Sequence, residues 1–208
     1  MTESAGATQG IVAQVTVETK FRIKPLEIPE VFLIIPNRVT WDSRGVFTEF
    51  FRATELMDAI PSADPVRFVQ SNFSRSRPYV LRGLHYQHPR PQGKLVQIIQ
   101  GKIFDVAIDL RRHSPTFGKH CTAILDEMTP CALYVPPGFA HGFMTFELGA
   151  SVVYMTTSYH NPAYDRAIRW DDPTLDIRWP IGHGANLTMS AKDRNAARFD
   201  VSPAYDDA

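Results

Sequence analysis

KLVQIIQGKIFDVAIDL, residues 94–110, is two apolar, β-branched runs around a single glycine. Neither run has the three-to-four-residue spacing of an amphipathic helix, and each is short enough for a buried strand. Gln100-Gly101-Lys102 between them reads as a hairpin turn. Outward from this stretch the same signal recurs. Residues 31–35, 46–51, 66–72 and 79–87 read as strands before it, and residues 119–125, 132–135, 142–146 and 151–159 after it. Turn signals separate them at Ser114-Pro115, Pro136-Pro137-Gly138, Asn161-Pro162 and Asp172-Pro173. One helix is expected, over residues 53–60, with Leu56, Met57 and Ile60 on one face and Pro61 ending it. Many short strands with almost no helix indicate an all-β sandwich or barrel.

The chain has 208 residues, the size of one domain. Residues 1–25 are small and polar and read as an N-terminal arm, or at most one added edge strand, before a domain over residues 26–208. Lys plus Arg and Asp plus Glu are both 22, and this balance argues against a general nucleic-acid binder. A local basic cluster for a small anion remains compatible with it. No apolar run approaches the roughly 18 residues of a membrane span, and the N-terminus carries no secretory pattern. Cys121 and Cys131 lie far outside metal or redox spacing. They fit two packed thiols in a reducing compartment, and a cytoplasmic protein is expected.

Three clusters hold the residues with chemical potential. RGLHYQHPRP (82–91) mixes Arg, His and Gln into a strand. Strict alternation places Gly83, His85 and Gln87 on one face and Arg82, Leu84 and Tyr86 on the other, unless a bulge at Gly83 re-aims them. YVPPGFAHGF (134–143) ends a tight turn on His141, in the P-x-G-x-x-H pattern of metal-binding β-barrels. The complementary H-x-H pair is missing: His85 and His88 are three apart, and residues 56–126 contain no Glu. A metal site therefore looks incomplete. In MSAKD (189–193), Ser190 and Asp193 have the spacing of a helix cap. Together, a His, a Lys, a Tyr, arginines and a late Asp lining a barrel suggest proton abstraction beside a carbonyl, with an anionic tail on the ligand.

The chain resembles the dTDP-4-dehydrorhamnose 3,5-epimerase family. The matching stretches are FVQSNFSRS (68–76), VLRGLHYQ (80–87), QGKLVQIIQGKIFDVAIDLRRHSPTFGKH (92–120), VPPGFAHGF (135–143), IRWDDPTLDIRWP (168–180) and LTMSAKD (187–193). The resemblance implies a cupin-type jelly roll, a homodimer, no metal and no cofactor. It implies inversion of C3 and C5 of a dTDP-4-keto-6-deoxy sugar. His85 would be the base, Asp193 its carboxylate, Lys94 the enolate stabiliser and Tyr154 the acid on the opposite face. His141 would lie beside the sugar. Arg44, Glu49, Gln70, Asn72, Arg82 and Lys192 match substrate- or nucleotide-binding positions. Asp165 stands where the family usually has Glu. His160 stands where it often has an aromatic ring against thymine. Two other readings compete with double inversion: a C3-only epimerase, and a non-catalytic jelly roll that binds sugar nucleotides. A metal-dependent cupin enzyme is a further alternative.

Overall fold

Extended backbone dominates this computed structural model, which describes residues 20–60 and 65–206. The elements in chain order are β1 (Phe21–Pro25), β2 (Phe32–Pro36), β3 (Val39–Asp42), β4 (Gly45–Thr48), α1 (Ala53–Ala59), β5 (Gln70–Ser76), β6 (Leu81–Gln87), β7 (Lys94–Asp109), β8 (His120–Asp126), β9 (Ala132–Val135), β10 (Phe139–Thr156), β11 (Asp165–Ala167) and α2 (Ala191–Arg194). Of the expected arm, residues 1–19 lie outside the described residues, while Phe21–Pro25 pairs antiparallel with β2 as an edge strand.

Two strands set the architecture. The first half of β7 pairs with β9 and its second half with β8. The second half of β10 pairs with β5 and its first half with β6, while β10 and β7 pair with each other almost throughout. The chain thus makes two faces joined by two shared strands: β1-β2-β9-β7-β10-β5 on one side and β8-β7-β10-β6-β11 on the other. This is the expected jelly-roll sandwich, and β3 and β4 form a separate two-stranded ribbon.

The expected hairpin at Gln100-Gly101-Lys102 does not form. Gly101 is instead a corner within one 16-residue strand. It adopts a φ of +83°, and a Cβ there would lie 2.2 Å from the Gly149 carbonyl oxygen. Gly149, with φ +73°, makes the matching corner in β10, where the register slips between Thr145 and Ala150. Residues expected as two strands, 142–146 and 151–159, are accordingly one strand, Phe139–Thr156. Residues 66–69 also fall outside a strand: Val66 packs into a core against Leu56, and pairing starts at Gln70.

The sandwich interior holds the inward-facing set of both sheets, including Val96, Ile98, Ile103, Leu125, Leu133 and Val152. Helix α1 seats Leu56 and the following Ile60 against Phe32, Ile34 and Leu95. The C-terminal segment returns across the second sheet through bridges from Thr188 to Val80 and from Ala197 to Ile168. That return delivers α2 to β6. Among the described residues, no helix is long and apolar enough to cross a membrane.

Candidate active site

A cavity of about 220 Å³ opens between the sheets. Eight of the expected residues line it: Arg82, His85, Lys94, His141, Tyr154, His160, Asp165 and Lys192.

The bulge allowed for at Gly83 is present. Gly83 has φ +122°, and its Cα hydrogens face Gly142 so closely that a Cβ would come within 2.6 Å of the Gly142 Cα. Across it the register slips: His85 stands opposite His141, but Arg82 stands opposite Phe143. The slip brings Arg82 and His85, three residues apart, into one cavity.

Asp193 does not line the cavity but backs it. Ser190 caps α2 by accepting the Asp193 backbone N–H at 3.1 Å, which leaves the carboxylate free to reach His85. Asp193 Oδ1 lies 2.5 Å from His85 Nε2. Burial opposes the Asp193 charge, but the His85 hydrogen bond and charge, Ser190 and the Gly83 N–H outweigh it and hold the carboxyl below its usual range. An ionised Asp193 accepts the Nε2 proton, and the imidazole lone pair is then on Nδ1.

A second pair lies beside the first. His141 Nε2 is 2.7 Å from Asp105 Oδ1, and both side chains are buried. Burial pushes His141 down against the opposing pull of Asp105, and the charges of Lys94 and His85 push the same way as burial. Asp105 Oδ2 has no hydrogen-bond partner. Lys94 is 7% exposed and donates to the His85 carbonyl at 3.2 Å. Burial pushes its ammonium down to about 8, against the opposing pull of Asp105 and Asp165. Tyr154 comes from the half of β10 that belongs to the other sheet, and burial raises its phenol.

The rim is more open and more polar. Lys192 Nζ meets Asp165 Oδ2 at 2.5 Å, and His160 Nε2 lies 3.7 Å from the same oxygen. Arg82 donates to Ser76 Oγ at 2.9 Å. Gln70 and Asn72 stand beside this rim rather than in the cavity: Gln70 donates to Asn72 at 2.8 Å and accepts the His160 N–H at 2.9 Å. Arg44 and Glu49 are not brought to the cavity of their own chain. Arg44 chelates Asp42 on the ribbon, and Glu49 pairs with Arg52.

The sequence reading missed Asp105, together with Gln87 and Gln92 in the cavity wall. An acid inside the otherwise apolar run IFDVAID was the available signal for Asp105. It was ambiguous, because Asp109 four residues on has the same setting. Asp109 serves structure, accepting from Arg111, Ser114 and Thr116. Among the described residues, no group of three or more His, Cys, Asp or Glu side chains is arranged to hold a metal ion. Cys121 and Cys131 are buried and unpaired, their thiols pushed up by burial to about 12 and about 11.

Comparison with known proteins places these features in context. The family model described as dTDP-4-dehydrorhamnose 3,5-epimerase matches residues 25–200. The enzyme of that name from Pseudomonas aeruginosa is 45% identical over 174 residues, 84% of this chain and 93% of the relative. The one from Methanothermobacter thermautotrophicus is 42% identical over 83% of this chain and 92% of the relative. Among solved structures, the dTDP-6-deoxy-D-glucose-3,5-epimerase of Legionella pneumophila, in complex with dTDP-4-keto-L-rhamnose, superposes with a TM-score of 0.81 at 40% identity, covering 87% of this chain and 94% of that one. A 3'-monoepimerase from Streptomyces bikiniensis, in complex with dTDP-quinovose, gives 0.75 at 30% identity, covering 84% and 86%.

Proposed function

This chain belongs to the dTDP-4-dehydrorhamnose 3,5-epimerase family, and from that premise we propose how its cavity inverts C3 and C5 of dTDP-4-dehydro-6-deoxy-D-glucose to give dTDP-4-dehydro-L-rhamnose. The C4 ketone acidifies the hydrogens on both flanking carbons, since removing either gives an enolate. His85, oriented by Asp193, takes the proton on one face of the ring. Buried Lys94 supplies the positive charge that the enolate oxygen requires. Tyr154 approaches from the other sheet and returns a proton to the opposite face. Its raised pKa keeps it protonated at neutral pH. Base and acid must be different groups for inversion, and here they sit on different sheets. The observation that carries the reading is the 2.5 Å bond by which Asp193, from behind the cavity wall, engages His85, which lines the same cavity as Lys94 and Tyr154.

At about 220 Å³ the cavity is smaller than the roughly 300–1,000 Å³ of pockets that enclose whole ligands. It suits the sugar ring, with the diphosphate and base continuing past Arg82, Lys192 and His160. A homodimer fits this. The β3–β4 ribbon exposes Trp41, Val46 and Phe47, and the β5 edge exposes Phe73. We assign the ribbon to a second copy, where Arg44 and Glu49 meet the nucleotide end of its ligand. The reading needs no metal and places the enzyme in the cytoplasm.

The test is turnover of the 4-keto-6-deoxy sugar nucleotide in D2O followed by NMR. Deuterium at both C3 and C5, with the L-configured product, is the expected result. Deuterium confined to C3 would assign the chain to the C3-only class, and none at either carbon would leave it a binding protein.

A further inference from the structure

Three glutamine side chains from three segments converge on four consecutive residues at the cavity rim. Gln92 Nε2 donates to the Ser158 carbonyl at 2.6 Å. Gln87 Nε2 donates to the Tyr159 carbonyl at 3.3 Å, and its Oε1 accepts the Asn161 N–H at 2.6 Å. Gln70 Oε1 accepts the His160 N–H at 2.9 Å. Gln87 and Gln92 are both buried. Each end of the Gln87 amide is thus engaged by the loop, one on either side of His160. Gln87 is itself anchored: its carbonyl accepts the Tyr205 hydroxyl from the C-terminal tail, and it pairs with Asp165 in β11.

A loop just beyond a strand end ordinarily leaves its backbone groups to water. Here four backbone groups of the loop are bonded by glutamine side chains, while two of its rings are exposed: Tyr159 is 72% exposed and the His160 ring is 48% exposed. Rigid backbone beneath two exposed rings is the arrangement that lets a flat ligand stack without an ordering penalty. Burial of ionisable groups grades the same way, from Lys94 and His141 in the floor to Lys192 and His160 at the rim. The floor receives the reacting ring, and residues 158–161 receive what lies beyond it.

We propose that Gln87 and Gln92 are positioning residues that hold residues 158–161 as a preformed platform for the nucleotide end of the substrate, acting through His160 and Tyr159 rather than by touching the nucleotide themselves. The inference rests on the nucleotide-sugar reading above, and it names the residues that set nucleotide affinity within it.

The experiment combines amide hydrogen exchange with dTDP binding. In the wild-type protein the amides of His160 and Asn161 should be protected, and Gln87→Leu should release the Asn161 amide, which it holds directly, while β10 stays protected. The same variant should weaken dTDP binding about tenfold by calorimetry, raise KM, and leave kcat within about threefold. In a His160→Ala background the further loss on adding Gln87→Leu should shrink markedly, since the two act as one unit. Gln92→Leu repeats the test if Gln87→Leu does not fold. Unprotected amides in the wild-type protein, or losses that simply add, would overturn the platform. Failure of wild-type protein to bind dTDP would overturn the nucleotide-sugar reading instead, and amide protection would still decide the clamp.

Discussion

His85 and His141 stand in register on neighbouring strands, and each is bonded to its own aspartate. The pairs differ in setting. The His85 ring is 34% exposed to the cavity, whereas His141 is 8% exposed against a fully buried Asp105. Only His85 therefore has the access a base needs. His85→Asn should abolish deuterium exchange at both carbons, and Asp193→Asn should slow it by roughly 10²–10⁴, the worth of a positioned base. His141→Asn should reduce turnover yet leave exchange measurable. Exchange surviving in His85→Asn but lost in His141→Asn would exchange the two roles.

On the proposed roles, Lys94 should set the alkaline side of the pH profile. Its ammonium is pushed down to about 8, so it is charged below that value and neutral above it. The kcat/KM profile reports the free enzyme and should fall above about pH 8. Lys94→Arg keeps its charge and should lose that limb whatever its residual rate. An identical limb in the variant would place the ionisation elsewhere. Stability carries the opposite sign. Between about 8 and 10.5 the unfolded chain holds the Lys94 proton more tightly than the folded one, so this residue makes stability rise with pH across that window. Urea titrations of Lys94→Met should lack the rise.

On the proposed roles, Tyr154 should separate exchange from inversion. Tyr154→Phe keeps the ring but removes the proton donor, so exchange driven by His85 should persist at C3 while inversion at C5 falls by about 10² or more. NMR of the product mixture measures both at once. Normal inversion at both carbons would assign the acid to water or to another side chain.

Shared sites in a homodimer would be revealed by mixing. Arg44→Ala and His85→Asn variants, each weakly active alone, should regain activity when co-refolded, because a hybrid dimer holds one site with both residues intact. Sedimentation of the wild-type protein should give about twice the 23.5 kDa chain mass. Full activity at concentrations where only monomer sediments would rule out the arrangement.

The motifs pointed to most of the residues that the fold gathers around the cavity, but not to the way the chain assembles them. Ser190 and Asp193 read as a cap, and the cap is real, yet its consequence is to free a carboxylate for a strand 108 residues earlier. That partnership is tertiary and has no local signature. Gly101 carried a true signal for a change of direction, but a turn and a sheet corner use the same residue. Which one forms depends on Gly149, almost fifty residues on, making the matching kink. Arg82 and His85 could be placed in one cavity only by allowing a bulge at Gly83, and periodicity alone argues against it. Asp105 was hidden because buried acids serve structure as readily as chemistry, as Asp109 shows.

Because β7 and β10 each run through both sheets, no line among the described residues separates the two sheets. Lys94 and Asp105 lie on one continuous strand, as do His141 and Tyr154 on the other. A two-domain enzyme can swallow its substrate by closing like a jaw, but a sandwich whose two sheets share two strands offers no such hinge between them. A ligand of the proposed kind would then enter past the rim formed by Lys192, Asp165 and His160, with the candidate reacting groups held on continuous strands beneath it.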